Sequence, residues 1–162
     1  MTALQDRLAA MRERARQRAF VADRADYVRS VPVLATLEAN GDAYDSFDYR
    51  RIRGPLNEWA HDPARWPIVV EACRDLPAGP AERDAAIVAE VARVFGDVPE
   101  LTVILRRESL VLEVPVPVFA SRLAVLIASA GASEIGVTAP PFDRIIEVHP
   151  PTIAIGTLPP AR

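Results

Sequence analysis

The side chains best suited to recognition chemistry gather between Tyr44 and Trp66. Five of the chain's ten aromatic residues lie there (Tyr44, Phe47, Tyr49, Trp59 and Trp66), interleaved with Asp42, Asp45, Asp48, Arg50, Arg51, Arg53 and His61. Rigid rings supply contact area at low entropic cost and guanidinium forks supply orientation, which is the composition of a binding surface. The residues expected to bind are Tyr44, Phe47, Tyr49, Arg50, Arg51, Trp59, His61 and Trp66. The competing expectation is that Trp59 and Trp66 staple the chain together internally, because large aromatics bury their area somewhere.

No set of residues has the spacing of a catalytic or metal centre. Asp42, Asp45 and Asp48 recur every third residue, which is not the one-three-five ligand pattern of a calcium loop, and no glutamate stands where the bidentate ligand belongs. His61 and Cys73 could form a base and nucleophile pair. A buried structural cysteine and a histidine near a helix start account for them more simply. His149, before two prolines, reads as a loop residue. Cys73 is the only cysteine, so neither an intrachain disulfide nor a cysteine zinc site can form. Glycine-rich phosphate loops and nucleophile-elbow or zinc-protease motifs are absent. The chain is expected to have no catalytic residues, no metal and no cofactor.

Composition narrows the partners. The 162 residues carry a net charge of −3, which disfavours nucleic acid and anionic membrane as partners of the whole protein. All 19 basic residues are arginine, so no lysine is present to act as a Schiff-base nucleophile. Together with the alanine, valine and proline enrichment, this points to biased codon usage in a GC-rich bacterial genome, and it discounts arginine count as a functional signal. No apolar leader or membrane-length run is present, so a cytoplasmic protein is expected.

The elements that must position these residues fall into two parts. Residues 3–28 space Leu4, Leu8, Met11, Ala15, Ala19 and Ala22 at helical intervals on one narrow stripe flanked by arginines, a seam that needs cover from its own domain, a partner or a second copy. Residues 31–39 form a short helix or strand before the Asn40-Gly41 turn signal. Asp62-Pro63 fits a helix start, with helix expected to about Asp75. Leu76 to Pro80 is the joint between a helical N-terminal part, 1–80, and an α+β part, 81–162, packed together as one compact domain.

The second part contains a duplication. At an offset of 34 residues, 85–117 matches 119–151 with seven identities, among them Glu100/Glu134, Val103/Val137, Glu113/Glu147 and Val114/Val148. Each half reads as αββ: helix 82–95, hairpin 101–106 and 110–114; helix 119–130, apolar nearly all round, hairpin 134–138 and 144–148; then a further strand at 152–157. The order α-β-β-α-β-β predicts an α+β sandwich with an antiparallel sheet and two helices on one face, in the manner of a circularly permuted ferredoxin-like fold. Its second sheet face is expected to be open, awaiting the N-terminal helices or another molecule.

These features favour a non-enzymatic, protein-binding accessory, adaptor or toxin-neutralising protein. Its partner is another protein, or a second copy engaged through helix 3–28. The alternative is a small-ligand sensor with its pocket between the two αββ repeats, and less favoured is an enzyme using His61 and carboxylates.

Overall fold

The computed structural model describes residues 22–48, 68–106, 110–131 and 134–158, and in Phe47 and Asp48 the backbone alone. The chain divides into two compact units, Met1–Asn40 and Gly41–Arg162. In the first, helix α1 (residues 22–30) breaks at Val31-Pro32 and resumes as α2 (Pro32–Asn40), because proline has no N–H to donate back into the preceding turn. Val33, Leu34 and Leu37 on α2 are buried, and Gly41, at φ +65, ends the helix as the Asn-Gly signal predicts. The expected stripe from Leu4 to Ala19 lies outside the described residues.

The second unit contains β1 (Asp45–Asp48), β2 (Val69–Asp75), α3 (Pro80–Phe95), β3 (Glu100–Leu105), β4 (Leu110–Pro115), α4 (Val116–Ala130), β5 (Ile135–Thr138), β6 (Arg144–His149) and β7 (Thr152–Thr157). The strands make one antiparallel sheet in the order β1-β4-β3-β5-β6-β7-β2. Both helices start with proline in the first turn and stop at a positive-φ glycine, Gly96 or Gly131.

The duplication is carried into the hydrogen-bond register. Shifting by 34 residues turns the β3–β4 pairs Leu101↔Val114 and Val103↔Leu112 into the β5–β6 pairs Ile135↔Val148 and Val137↔Ile146. The two hairpins meet where Val103 faces Val137. Those are equivalent residues facing each other, so a local two-fold axis passes between them. The outer strands extend the symmetry: β1 sets Asp45 opposite Glu113, and β7 sets Ala154 opposite the equivalent Glu147.

Side chains alternate across this sheet. Leu101, Val103, Leu105, Ile135, Val137, Ile146 and Val148 share one face, and so does Arg74, whose guanidinium reaches Glu90 of α3 at 2.5 Å. That is the helix face. On it α4 packs over β3, β4 and β5, α3 over β6, and the two helices touch. Ile87 and Val91 of α3 and Phe119, Leu123, Leu126 and Ala130 of α4 complete the core.

Several expectations are corrected. The sheet is antiparallel with both helices on one face, but the first strands of the hairpins, β3 and β5, are central, whereas the permuted ferredoxin-like order puts the second strands there. Residues 69–75 are an edge strand, not the end of a helix, because the valine pair finds a partner in β7, far away in sequence. The proposed joint at 76–80 lies within the second unit, between β2 and α3. Pro150-Pro151 turns β6 directly into β7, so His149 before it closes a strand pair instead of lying in a loop. Helix α4 is not buried all round, since Ala120, Ser121, Ala124 and Ala128 face solvent and Ile127 is half-buried. Nor is the second sheet face open. Ile104, Val111 and Ile145 there are fully buried with Leu158, and Ile68 and Phe142 pack on them.

Candidate functional site

The duplicated glutamates stand on the sheet face opposite the helices. In each hairpin the two carboxylates are diagonal neighbours: Glu100 pairs with Pro115, two residues beyond Glu113, and Glu134 bears the same relation to Glu147. Repetition of the register has therefore built one pair of carboxylates twice, on either side of the two-fold.

The second pair is neutralised from within the chain. Arg106, just past the end of β3, reaches Glu134 with Nη1 at 2.8 Å and Glu147 with Nη2 at 3.4 Å, and His149 Nε2 lies 3.0 Å from the other oxygen of Glu134. Burial pushes the Glu147 carboxyl up to about 7, the neighbouring Glu134 charge and a hydrogen bond shared with Glu134 push the same way, and Arg106 opposes them. A carboxyl with this poise can exchange protons near neutrality. Here it is held between a guanidinium and a second carboxylate.

The first pair has a different surrounding. The 34-residue shift takes Arg106 to Pro140, and at that place there is a cavity of about 200 Å³ lined by Val98, Pro99, Glu100, Leu101, Thr102, Glu113, Pro140 and Phe142. It lies between the repeats. Among the described residues no cation pairs with Glu100 or Glu113. Burial raises the Glu113 carboxyl above the usual range, and the charges of Glu100 and Asp45 raise it further. Asp45 stands directly opposite Glu113 across the β1–β4 ladder, an unfavourable like-charge pairing. Phe142 forms one wall with its backbone at φ +64, a conformation bulky residues rarely adopt, held by its N–H donating to Ala139 C=O at 2.8 Å. The ring is anchored on the Ile104–Val111–Ile145–Leu158 cluster.

Of the residues expected to bind, Tyr44 is half-buried just before β1 and Phe47 lies in β1 in register with Val111. Tyr49, Arg50, Arg51, Trp59, His61 and Trp66 lie outside the described residues, and so does the His61 half of the supposed pair with Cys73. Cys73 is exposed on β2, not buried. His149 is the last residue of β6 and part of the Glu134 network, not a loop residue. Of the three aspartates, Asp42 accepts from Arg122 Nε at 2.6 Å, Asp45 stands opposite Glu113, and the backbone of Asp48 pairs with Leu110. Among the described residues no three His, Cys, Asp or Glu side chains could hold one metal ion, and no helix is long and apolar enough to cross a membrane.

Sequence reasoning overlooked the glutamates as a site, although two of its seven identities were Glu100/Glu134 and Glu113/Glu147. An acid conserved between repeats at a strand position, where core residues otherwise alternate, is the signal that pointed to them. In comparison with known proteins, the chain matches no family model, no curated protein and no solved structure.

Proposed function

We propose that this protein is a non-enzymatic binding module that engages another protein at the seam between its two repeats. The observation that carries the reading is the cavity at Glu100 and Glu113, a carboxylate pair whose counterpart in the second repeat is already neutralised and which has no cation partner among the described residues. At about 200 Å³ it is smaller than the roughly 300–1,000 Å³ of sites for drug-sized ligands. It has room for one side chain offered by a larger partner, whose remaining contacts would supply the interface area. Strand β1 borders Glu113, so the aromatic and arginine-rich stretch, Tyr44, Phe47, Tyr49, Arg50, Arg51, Trp59, His61 and Trp66, starts beside the cavity and is assigned to the same partner. The adaptor and toxin-neutralising roles both belong to this class.

A photo-crosslinking residue in place of Pro99, on the cavity wall, tests the reading against the same residue in place of Ala128, on the exposed side of α4. A discrete protein adduct from the Pro99 position, absent from the Ala128 position, is expected. Equal labelling at the two positions would remove the seam as the binding surface. A small-ligand sensor is the second reading, favoured by the same cavity's position between the repeats, and it predicts that a compound of a few heavy atoms alone raises the melting temperature.

A further inference from the structure

We infer that the cavity at Glu100 and Glu113 is a guanidinium site, taking from outside the group that Arg106 supplies from inside to the equivalent Glu134 and Glu147. The inference rests on the binding-module reading and names the chemistry of its contact. The second repeat shows what this pair of glutamates holds when it is filled: one guanidinium, with one nitrogen on each carboxylate at 2.8 and 3.4 Å. The first repeat has the same two acids in the same register, and Pro140 at the position of the arginine.

The rest of the cavity suits that group better than other cations. Two carboxylates on a flat sheet face match the planar, two-pronged donor of a guanidinium, while an ammonium offers a point charge. Pro99, Pro140 and Phe142 are apolar walls against which the methylene stem of an arginine can lie. Among the described residues the charges facing the site are Glu100, Glu113 and, across the ladder, Asp45, all of one sign. A metal ion is less suitable, because no three acidic, His or Cys side chains among the described residues converge to ligate one.

Two sources could supply the guanidinium, an arginine side chain of the partner protein or a free small guanidine compound, and titration of the full-length protein by calorimetry separates them. The probes are N-methylguanidinium chloride, a capped pentapeptide with a central arginine in an alanine and glycine background, and the same peptide with lysine or citrulline at the centre. Expected are binding of the arginine peptide at least tenfold tighter than of the lysine or citrulline peptide, a loss of tenfold or more on Glu113→Gln and on Glu100→Gln, and abolition by Pro140→Arg, which supplies the missing group from within. An arginine peptide at least tenfold tighter than N-methylguanidinium identifies a partner's side chain as the source, and equal affinity identifies a free guanidine compound.

Equal binding of the lysine or citrulline peptide, or arginine affinity unchanged in both glutamine variants, overturns the guanidinium assignment. So does a protein trapped at Pro99 by a chain that binds no arginine probe, and in that case the binding-module reading survives alone. Absence of both the adduct and the titration removes the two together. Melting curves accompany every variant. Should Pro140→Arg fail to fold, the two glutamine variants, which only relieve like-charge repulsion, decide the matter by themselves.

Discussion

At the scale of single residues, the Glu134–Glu147 network makes the protein sensitive to pH in a calculable direction. The folded state holds the Glu147 carboxyl at about 7 against an ordinary 4.5. A raised carboxyl favours folding fully below its unfolded value, and that contribution is lost as pH climbs through the folded value. The window is therefore about pH 4.5 to 7, and the loss is on the order of 3 kcal/mol. The groups facing Glu147 are Glu134, Arg106 and, through Glu134, His149. Glu147→Gln should melt higher than the wild type at pH 8 and converge with it near pH 5. Parallel melting curves across that range would show that the carboxyl is not held where its surroundings place it. The identity of both glutamate pairs was legible in the sequence. Their meaning was not, because whether two acids thirteen residues apart touch depends on the hairpin register, which sequence spacing leaves open by one residue, and one residue reverses the face.

At the scale of elements, the helices were the more legible part because each one's boundaries are local. Proline sits in the first turn of α3 and α4, and a glycine follows the last turn of each. Leu126 is 1% exposed on the sheet-facing side of α4, so Leu126→Ala should cost about 2–5 kcal/mol in denaturant unfolding, toward the upper end if the site cannot collapse. Strand β2 was misread as helix because an edge strand is defined by its partner, and that partner is β7. The pairing is irregular, with a bulge between Val70 and Ala72. Gly156 of β7 belongs to this irregularity: a Cβ there would lie 2.7 Å from the backbone oxygen of Val69, which cannot swing away as a side chain could. Gly156→Ala should therefore loosen the edge. Amide exchange should speed up in Val69–Asp75 while Val103 and Val137, at the sheet centre, keep their protection. Uniform exchange across the sheet would mean that β2 does not open separately.

At the scale of the molecule, the second unit is symmetric from β1 to β7 and departs from symmetry only at β2. The repeats supply β3 to β6, and the flanks of the sheet come from segments outside the matched region, β1 and β2 from before it and β7 from its end. The two hairpins of the inner sheet could be foreseen from the offset of 34 residues, but not that they meet through their first strands, β3 and β5. Of the flanking strands, β7 at Thr152–Thr157 is legible as well, but β1 is not, since a strand as short as Asp45-Ser46-Phe47-Asp48, with no apolar alternation, takes its conformation from the ladder it joins. If the symmetry is energetic as well as geometric, Val103→Ala and Val137→Ala should destabilise by similar amounts, about 1–3 kcal/mol each by loss of buried methyl groups. Because these residues face each other, the double variant should depart from additivity. A strictly additive pair would indicate that the contact across the axis carries no coupling of its own.

The pairing of β2 with β7 also governs how the chain can be made. Asp75 finds its place only opposite Thr152, so during synthesis Val69–Asp75 leaves the ribosome long before the strand that receives it. At about 5–20 residues per second the wait is on the order of several seconds. Throughout it a seven-residue strand beginning Val69-Val70 has no ladder to join, and the hairpins that form meanwhile leave the outer edge of β6 unprotected too. The nascent protein thus passes through a stage with two open edges that close only when β7 enters between them. A nonsense codon after His149 should convert that passing state into a permanent one, seen as loss of the soluble product rather than as a smaller folded protein.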